Sequence, residues 1–266
     1  MKNKIDSRPS DNRDDSIALL VVSCDAYKDL WKIFFHCLFK YWPDCPYPIY
    51  LGSNEAVYSD PRVKSILVGP DRDYSSNLLA MLKHINATWV LLWIEDFVLA
   101  APVDYARLSK MITSVQSQGA VYLKPIASFP YAYLKNTNEE IGILPKGIRY
   151  RVNIGITLFK KETLVSLLKP GESAWEIEYN GASRSENIQE DFYCLSANMK
   201  SNPPISYINL VGKGMLLRDS IKFLKKEHLE DFIPNRKVQP LRSDIYYKLY
   251  LFRLDVYRLL RLYWYK

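Results

Sequence analysis

Apolar residues follow two rhythms along the 266-residue chain, and the change comes at about residue 125. Ile17-Ala-Leu-Leu-Val-Val22 is a short unbroken apolar run, the pattern of a strand buried on both faces of a parallel sheet. Ser23-Cys24-Asp25 closes it. Leu30, Trp31, Phe34, Phe35 and Leu38 recur every three or four positions, which predicts a helix ending before Pro43 and Pro46. Residues 48–51 and 65–68 predict a second and a third strand. Ser76 is placed to cap a further helix carrying Leu78, Leu79, Leu82 and Ile85 on one face. Residues 88–94 are the strongest strand signal in the chain and stop abruptly at Glu95-Asp96. Strand, helix, strand, strand, helix, strand with no internal repeat predicts an α/β domain.

Beyond residue 125 the chain is richer in loops, with Pro125, Pro130 and Pro145 among tyrosines. Residues 152–159 alternate and predict one half-exposed strand, 161–168 a short helix ended by Pro170-Gly171, and 204–210 another strand. In residues 242–266, Ile245, Leu249, Phe252, Val256, Leu259 and Tyr263 sit at helical spacing among six Lys or Arg and two Asp. A basic, aromatic-rich amphipathic helix over 241–266 is expected, with two fates open to it. It can lie in the headgroup layer of the inner leaflet, or it can pack on the domain or on a second copy of the chain. Residues 1–16 are polar with no apolar core segment, which predicts a disordered leader rather than a signal peptide. No apolar run approaches the roughly 20 residues a membrane-spanning helix needs, so a cytoplasmic protein, peripheral to the inner membrane at most, is expected.

Composition adds two constraints. Aromatic residues reach 14% of the chain, and amphipathic rings serve as plates for sugars, bases or headgroups. Lys and Arg outnumber Asp and Glu by 36 to 29, a net +7 that suits an anionic partner. Cys24, Cys37, Cys45 and Cys194 form no CxxC pair, and three scattered histidines offer no zinc-ligand spacing, so reduced thiols are expected. GxGxxG, Walker A, GxSxG and HExxH motifs are all absent, which disfavours dinucleotide oxidoreductases, P-loop enzymes, serine hydrolases and zincins. Charge and aromatics alone, without a recognised motif, make a nucleic-acid partner unexpected.

The remaining chemistry lies in carboxylates at strand ends. Ligands of open α/β sheets bind beyond the carboxyl ends of the strands, so Asp25 and Glu95-Asp96 can converge there and hold Mg²⁺ or Mn²⁺ with substrate phosphates. Acids also end strands simply because chains turn in water, and spacing does not separate the two readings. In Gly171-Glu-Ser-Ala-Trp-Glu-Ile-Glu178, Trp175 stands three residues before Glu178 at a helix start, which can join an aromatic plate to a carboxylate base. The plain alternative is a core Trp beside solvated glutamates, and Glu190-Asp191 is a rival acidic pair.

Several segments, in order, resemble a known family. Leu20-Val-Val-Ser-Cys-Asp-Ala-Tyr-Lys-Asp-Leu-Trp31, Phe39-Lys-Tyr-Trp-Pro-Asp44, Leu91-Leu-Trp-Ile-Glu-Asp-Phe97, Leu168-Lys-Pro-Gly-Glu-Ser-Ala-Trp-Glu-Ile-Glu178 and Val211-Gly-Lys-Gly214 are similar to bacterial glycosyltransferase-like proteins of capsule and lipopolysaccharide synthesis. The resemblance covers roughly residues 17–235. It implies a GT-A fold with a mixed central sheet flanked by helices, a nucleotide-sugar donor and a glycan or lipid-linked acceptor. It further implies a nucleotide-sugar half at 17–125 and an acceptor half at 126–240. Carried over by position, Ser23 and Asp25 lie at the nucleoside, Asp73 near the base or ribose, and Glu95-Asp96 at the Asp-x-Asp metal motif, with Asp96 the metal ligand. Glu178 becomes the catalytic base, with Trp175 and Arg184 on the acceptor side and Lys213 on the donor side. Glu95-Asp96-Phe97 departs from Asp-x-Asp because its acids are adjacent. Two arrangements stay open: Asp96 alone on a divalent cation, or neutralisation of the diphosphate by Lys213 or Arg184 without one. A non-catalytic scaffold of a polysaccharide machine, with the same fold, is the alternative of a different class.

Overall fold

In the computed structural model, which describes residues 16–132, 134, 139–242 and 249, the first apolar run forms β1 (Ile17–Val22) with every residue buried. Its alternate residues face two separate cores: Ile17, Leu19 and Val21 join one cluster, and Ala18, Leu20 and Val22 the other. Both faces of the sheet are therefore covered, which is why this strand is apolar throughout. After β1 come α1 (Lys28–Tyr41), β2 (Ile49–Ser53), β3 (Val63–Leu67), α2 (Tyr74–Leu82) and β4 (Trp89–Ile94). Then follow β5 (Phe97–Leu99), α3 (Tyr105–Ser117), β6 (Tyr122–Lys124), β7 (Ile141–Ile143), β8 (Thr157–Lys160), α4 (Lys161–Leu167) and α5 (Ala174–Arg184). The chain continues through β9 (Phe192–Leu195), β10 (Tyr207–Asn209), β11 (Val211–Gly212), β12 (Met215–Leu216) and α6 (Arg218–Lys226).

Eight strands form the central sheet in the order β3-β2-β1-β4-β8-β6-β9-β7. β3, β2, β1 and β4 run parallel, β8 runs against both β4 and β6, β9 is parallel to β6, and β7 runs against β9. This is the α/β class with a mixed sheet flanked by helices that the sequence predicts. α1 and α3 cover the face carrying Leu19 and Leu91, while α2, α4 and α5 cover the face carrying Leu20 and Leu92. Phe34 and Phe35 of α1 pack edge to face at 5.1 Å, and burying each such ring contributes about 2–3 kcal/mol.

The structure adjusts several expectations. Asp73, not Ser76, caps α2: its backbone is extended and its side chain accepts from the Ser76 N–H. Ser76 is instead the cap's partner, its hydroxyl donating to Asp73 Oδ2. β3 begins at Val63, two residues earlier than its apolar run, because pairing with β2 begins there. The alternating stretch from Val152 is not half exposed. Val152, Ile154, Ile156, Leu158 and Phe159 are buried, and of the positions between them Gly155 and Thr157 are buried too; only Thr157–Lys160 is strand. The leader over 1–16 and the helix over 241–266 lie outside the described residues apart from Ser16, Leu241, Arg242 and Leu249. Among the described residues no helix is long and apolar enough to cross a membrane. Trp31, Phe34, Phe35 and Trp93 are core residues, as their patterns predict. The four cysteines are unpaired, and burial pushes the thiols of Cys37, Cys45 and Cys194 up to about 12, which leaves them protonated and inert.

One buried cation fixes the loop that leads into the site. Arg151, 2% exposed, donates to the carbonyl of Leu144 and to both the carbonyl and the hydroxyl of Ser185, and its guanidinium lies 4.2 Å from the Phe192 ring centroid. Arg151→Met leaves those acceptors unpaired in a dry interior. The expected loss is about 2–4 kcal/mol, read as a lower midpoint in urea unfolding with an unchanged slope.

Candidate functional site

The strand order reverses at β1 and β4. From β1 the chain steps outward through β2 and β3, then returns to place β4 on the other side of β1. Ligands of such sheets bind at the carboxyl ends of the strands at that reversal. The register pairs Val22 with Ile94, so Ser23-Cys24-Asp25 and Glu95-Asp96 emerge side by side there.

On the β1 side the polar groups are engaged with the scaffold. Ser23 Oγ accepts the indole N–H of Trp31 at 2.7 Å. The Asp25 carboxylate accepts the backbone N–H groups of Asn54, Glu55 and Ala56, while its own N–H donates to Asn54 Oδ1 at 3.0 Å. Asn54 Nδ2 in turn donates to the carbonyl of Gly69. Asp25 thus clamps the carboxyl ends of the first three strands into one floor. Asp73, at the head of α2, is held below the usual carboxylate range by its bonds from the Ser76 side chain and backbone.

On the β4 side the acids are buried. Glu95 is 5% exposed, and burial, followed by the charge of Asp96, pushes its carboxyl well above the usual range. Burial likewise pushes Asp96 up to about 7, opposed by the charge of Arg236. Asp96 Oδ1 is buried and has no hydrogen-bond partner, as are Tyr74 Oη and Asn209 Oδ1. Asn209 sits opposite Phe97 in the β5–β10 pair, and the Leu210 N–H donates to the Asp96 carbonyl at 2.8 Å. The Trp93 indole donates to the Phe97 carbonyl at 2.6 Å across the turn and holds Glu95-Asp96 at the end of β4. Tyr74 reports the convergence. Burial, followed by the charges of Glu95, Glu178 and Asp96, pushes its hydroxyl well above the usual tyrosine range.

Glu178 arrives from α5. That helix opens with a capping box in which Ser173 and Glu176 satisfy each other's backbone N–H groups. Two residues on, Glu178 Oε1 accepts from Asn153 Nδ2 at 2.8 Å and from the Ile154 N–H at 3.1 Å. Burial raises its carboxyl to about 6, opposed by the Ile154 bond and the charge of Lys124. Gly155 is glycine for a local reason, since a Cβ there would stand 2.6 Å from the Phe97 ring. That close approach seats the residue after Asp96 against the loop that holds Glu178.

The other predicted residues divide. Trp175 is 73% exposed on the outer face of α5, an open plate rather than a core residue. Arg184 pairs with both oxygens of Glu172 at 2.8 and 2.6 Å and donates to the Leu167 carbonyl, so it braces α5. Lys213 is exposed at the tip of the β11–β12 hairpin, where it and Gly214 both have positive φ, 51° and 77°. The rival pair Glu190-Asp191 is exposed just before β9. Sequence reasoning missed Tyr74, Asn153, Asn209 and Arg236. A polar residue inside the buried run 152–159 marks Asn153, whereas Arg236 carries no local signal.

Among the described residues no cluster of three or more His, Cys, Asp or Glu is placed to hold a metal. The donor set still fits a hard divalent cation. Asp96 Oδ1 is an unpartnered oxygen, and such a cation accepts one carboxylate with the rest of its shell drawn from water and substrate phosphate.

No family model matches the chain, and no curated protein matches it. Similar solved structures include TarS 1–349 of S. aureus, 10% identical over 70% of this chain and 62% of that one, with a TM-score of 0.45. The same protein in complex with UDP-GlcNAc matches 86% of this chain and 69% of its own at 10% identity and a TM-score of 0.46. A cytidylyltransferase from Leptospira borgpetersenii serovar Hardjo-bovis matches 85% of this chain and 99% of its own at 14% identity and a TM-score of 0.44. The chain thus spans less than two thirds of the length of TarS 1–349 in the first of these matches.

A carboxyl whose pKa is raised by folding stabilises the fold while protonated. That stability is present below the ordinary carboxylate range and is lost as pH climbs through the folded value, here about 7 for Asp96. Asp96→Asn removes the penalty. At pH 8 the variant is expected to be more stable than the parent by on the order of 2–4 kcal/mol, with the difference vanishing near pH 4. Urea unfolding at both pH values tests this, and equal stability at pH 8 would refute the buried charge.

Proposed function

We propose that this protein is a GT-A-type glycosyltransferase that moves a sugar from a nucleotide-sugar donor to a glycan or lipid-linked acceptor in bacterial surface-polysaccharide synthesis. The observation that supports the reading is Glu178, a buried carboxylate clamped through one oxygen by Asn153 and Ile154, on the loop whose Gly155 packs against Phe97, the residue after the unpartnered Asp96; burial raises its pKa to about 6. A base of that strength, held dry and fixed, suits proton removal from a hydroxyl near neutral pH. The donor class rests on the sequence resemblance and on the polar floor that Asp25 builds at the carboxyl ends of β1, β2 and β3.

In the proposed reaction Glu178 accepts the proton of the acceptor hydroxyl as that oxygen attacks the anomeric carbon. The bond from that carbon to the diphosphate breaks, its electron pair leaves with the nucleoside diphosphate, and a single displacement inverts the sugar. A divalent cation on Asp96 would supply charge neutralisation for the diphosphate. Ser23 and Asp25 shape the nucleoside floor, Asp73 borders it, Lys213 faces the donor side, and Trp175 offers its exposed ring to the acceptor. Arg184 serves the acceptor side by bracing α5, the helix that carries Glu178.

Both Glu178 and Asp96 act as bases or ligands only when ionised, so transfer is expected to rise with pH through about 6 to 7, the reverse of the stability trend. A thermal-shift panel of UDP-, GDP-, dTDP- and CMP-sugars, with and without Mn²⁺, identifies the donor. With that donor, Glu178→Gln is expected to lower kcat by about 10²–10⁴-fold with little change in donor affinity. Near-full activity would reject Glu178 as the base, and no response to any donor would favour a non-catalytic scaffold.

A further inference from the structure

Residues 227–236 run antiparallel along the outside of α1. Glu227 accepts from Lys40 at 2.6 Å and from Tyr41 at 2.7 Å at the helix's carboxyl end. Midway, the Lys32 ammonium lies 3.8 Å from the Phe232 ring centroid. At the amino end Arg236 pairs with both oxygens of Asp29 at 2.7 Å and donates to the Ala26 carbonyl.

Along α1, Lys28, Lys32, His36 and Lys40 recur at every fourth position and all are exposed, a stripe on one helix face. α6 ends beside it, with Lys225 and Lys226 exposed immediately before Glu227. α1 and residues 218–242 together hold ten Lys or Arg and five Asp or Glu, a net +5 of the chain's +7. Val238 and Leu241 are exposed large apolar residues in the same segment, and Phe232 lies there with its ring under Lys32. The sequence that follows, residues 243–266, adds five Lys or Arg against two Asp.

We propose that this face, built from α1, the end of α6 and the segment along them, docks on an anionic lipid bilayer. The headgroup layer accepts ammonium and guanidinium groups together with shallow apolar side chains. A single-stranded nucleic acid would use rings open to stacking, and here the Phe232 ring is covered by Lys32. The face ends at Arg236, whose charge acts on Glu95 and Asp96, so it borders the candidate site. Docking stands without the transferase reading. With that reading, docking holds the site against lipid-linked acceptors.

The test is co-sedimentation of the full chain with vesicles of phosphatidylcholine alone and of phosphatidylcholine mixed with phosphatidylglycerol. Binding is expected only to the mixed vesicles and is expected to weaken as salt rises. Each basic residue near an anionic surface strengthens partition roughly fivefold, so Lys28→Glu/Lys32→Glu/Lys225→Glu/Lys226→Glu, with residues 243–266 untouched, is expected to weaken it by at least about 100-fold. A charge-matched variant elsewhere, Lys83→Glu/Lys110→Glu/Lys169→Glu/Lys200→Glu, is expected to bind nearly as the parent does. Matching thermal midpoints and circular dichroism spectra show that both variants are folded. Parent-like binding by the face variant, equal loss in the matched variant, or tighter binding to an oligonucleotide than to vesicles would each overturn the proposal.

Discussion

The pairing of β1 with β4 is the constraint from which the site follows. Both strands are central, both are covered on both faces, and six consecutive residues of each are in register. Such strands are apolar along their whole length, since a polar side chain there would lie in one core or the other without water. Polarity therefore returns to both strands at the same level, at Ser23 and Glu95. The side chains that follow are polar because the chain has left the sheet, and they are neighbours because the register makes them so. The resulting cluster needs no sequence proximity between Asp25 and Asp96.

The cluster is costly to hold as charge. An ionised carboxylate withdrawn from water is penalised by several kcal/mol unless it is paired, and the response of a buried acid is a raised pKa. Glu95 and Asp96 respond in that way, and Arg236, the positive charge that opposes the rise in both, is already paired with Asp29. Glu178 is treated differently. Two donors meet one of its oxygens and Lys124 adds a favourable field, which leaves its pKa near 6 rather than far above the carboxylate range. The same burial thus favours the neutral form of Glu95 more strongly than that of Glu178, so the two carboxyls are pushed apart in pKa.

The first half of the fold was legible because its elements obey single periods. An unbroken apolar run meant a doubly covered strand, and threefold and fourfold spacing meant α1. The second half was less legible for identifiable reasons. Residues 152–159 alternate, yet they face a core and α5 rather than water, so alternation here separates two kinds of interior. Asp73 and Ser76 are both good caps, and only the backbone geometry tells which begins the helix. At the candidate site, strand-end logic singled out Glu95-Asp96, which the structure buries at the end of β4, and the Trp-Glu-Ile-Glu segment singled out Glu178, which it buries on α5. Ser23, Asp25 and Arg184 were singled out too, and their side chains are bound to the scaffold. Tyr74 and Arg236 were invisible because each matters through contacts and fields from distant segments.

Charge is segregated across the molecule, and the segregation bears on how an anionic ligand could enter. Two unit charges 4 Å apart repel by about 4 kcal/mol at the effective dielectric of a protein surface. A fully ionised Glu95-Asp96 pair would therefore repel a further anion brought close to it. Raised pKa values lower that barrier: burial and the charge of Asp96 favour the neutral form of Glu95, and Asp96, pushed up to about 7, carries a proton part of the time near neutral pH. The chain's positive excess lies mainly on α1 and residues 218–242, outside the site. Such an excess draws anions to that side of the molecule while leaving the buried acids of β4 and α5 without fixed cations among them.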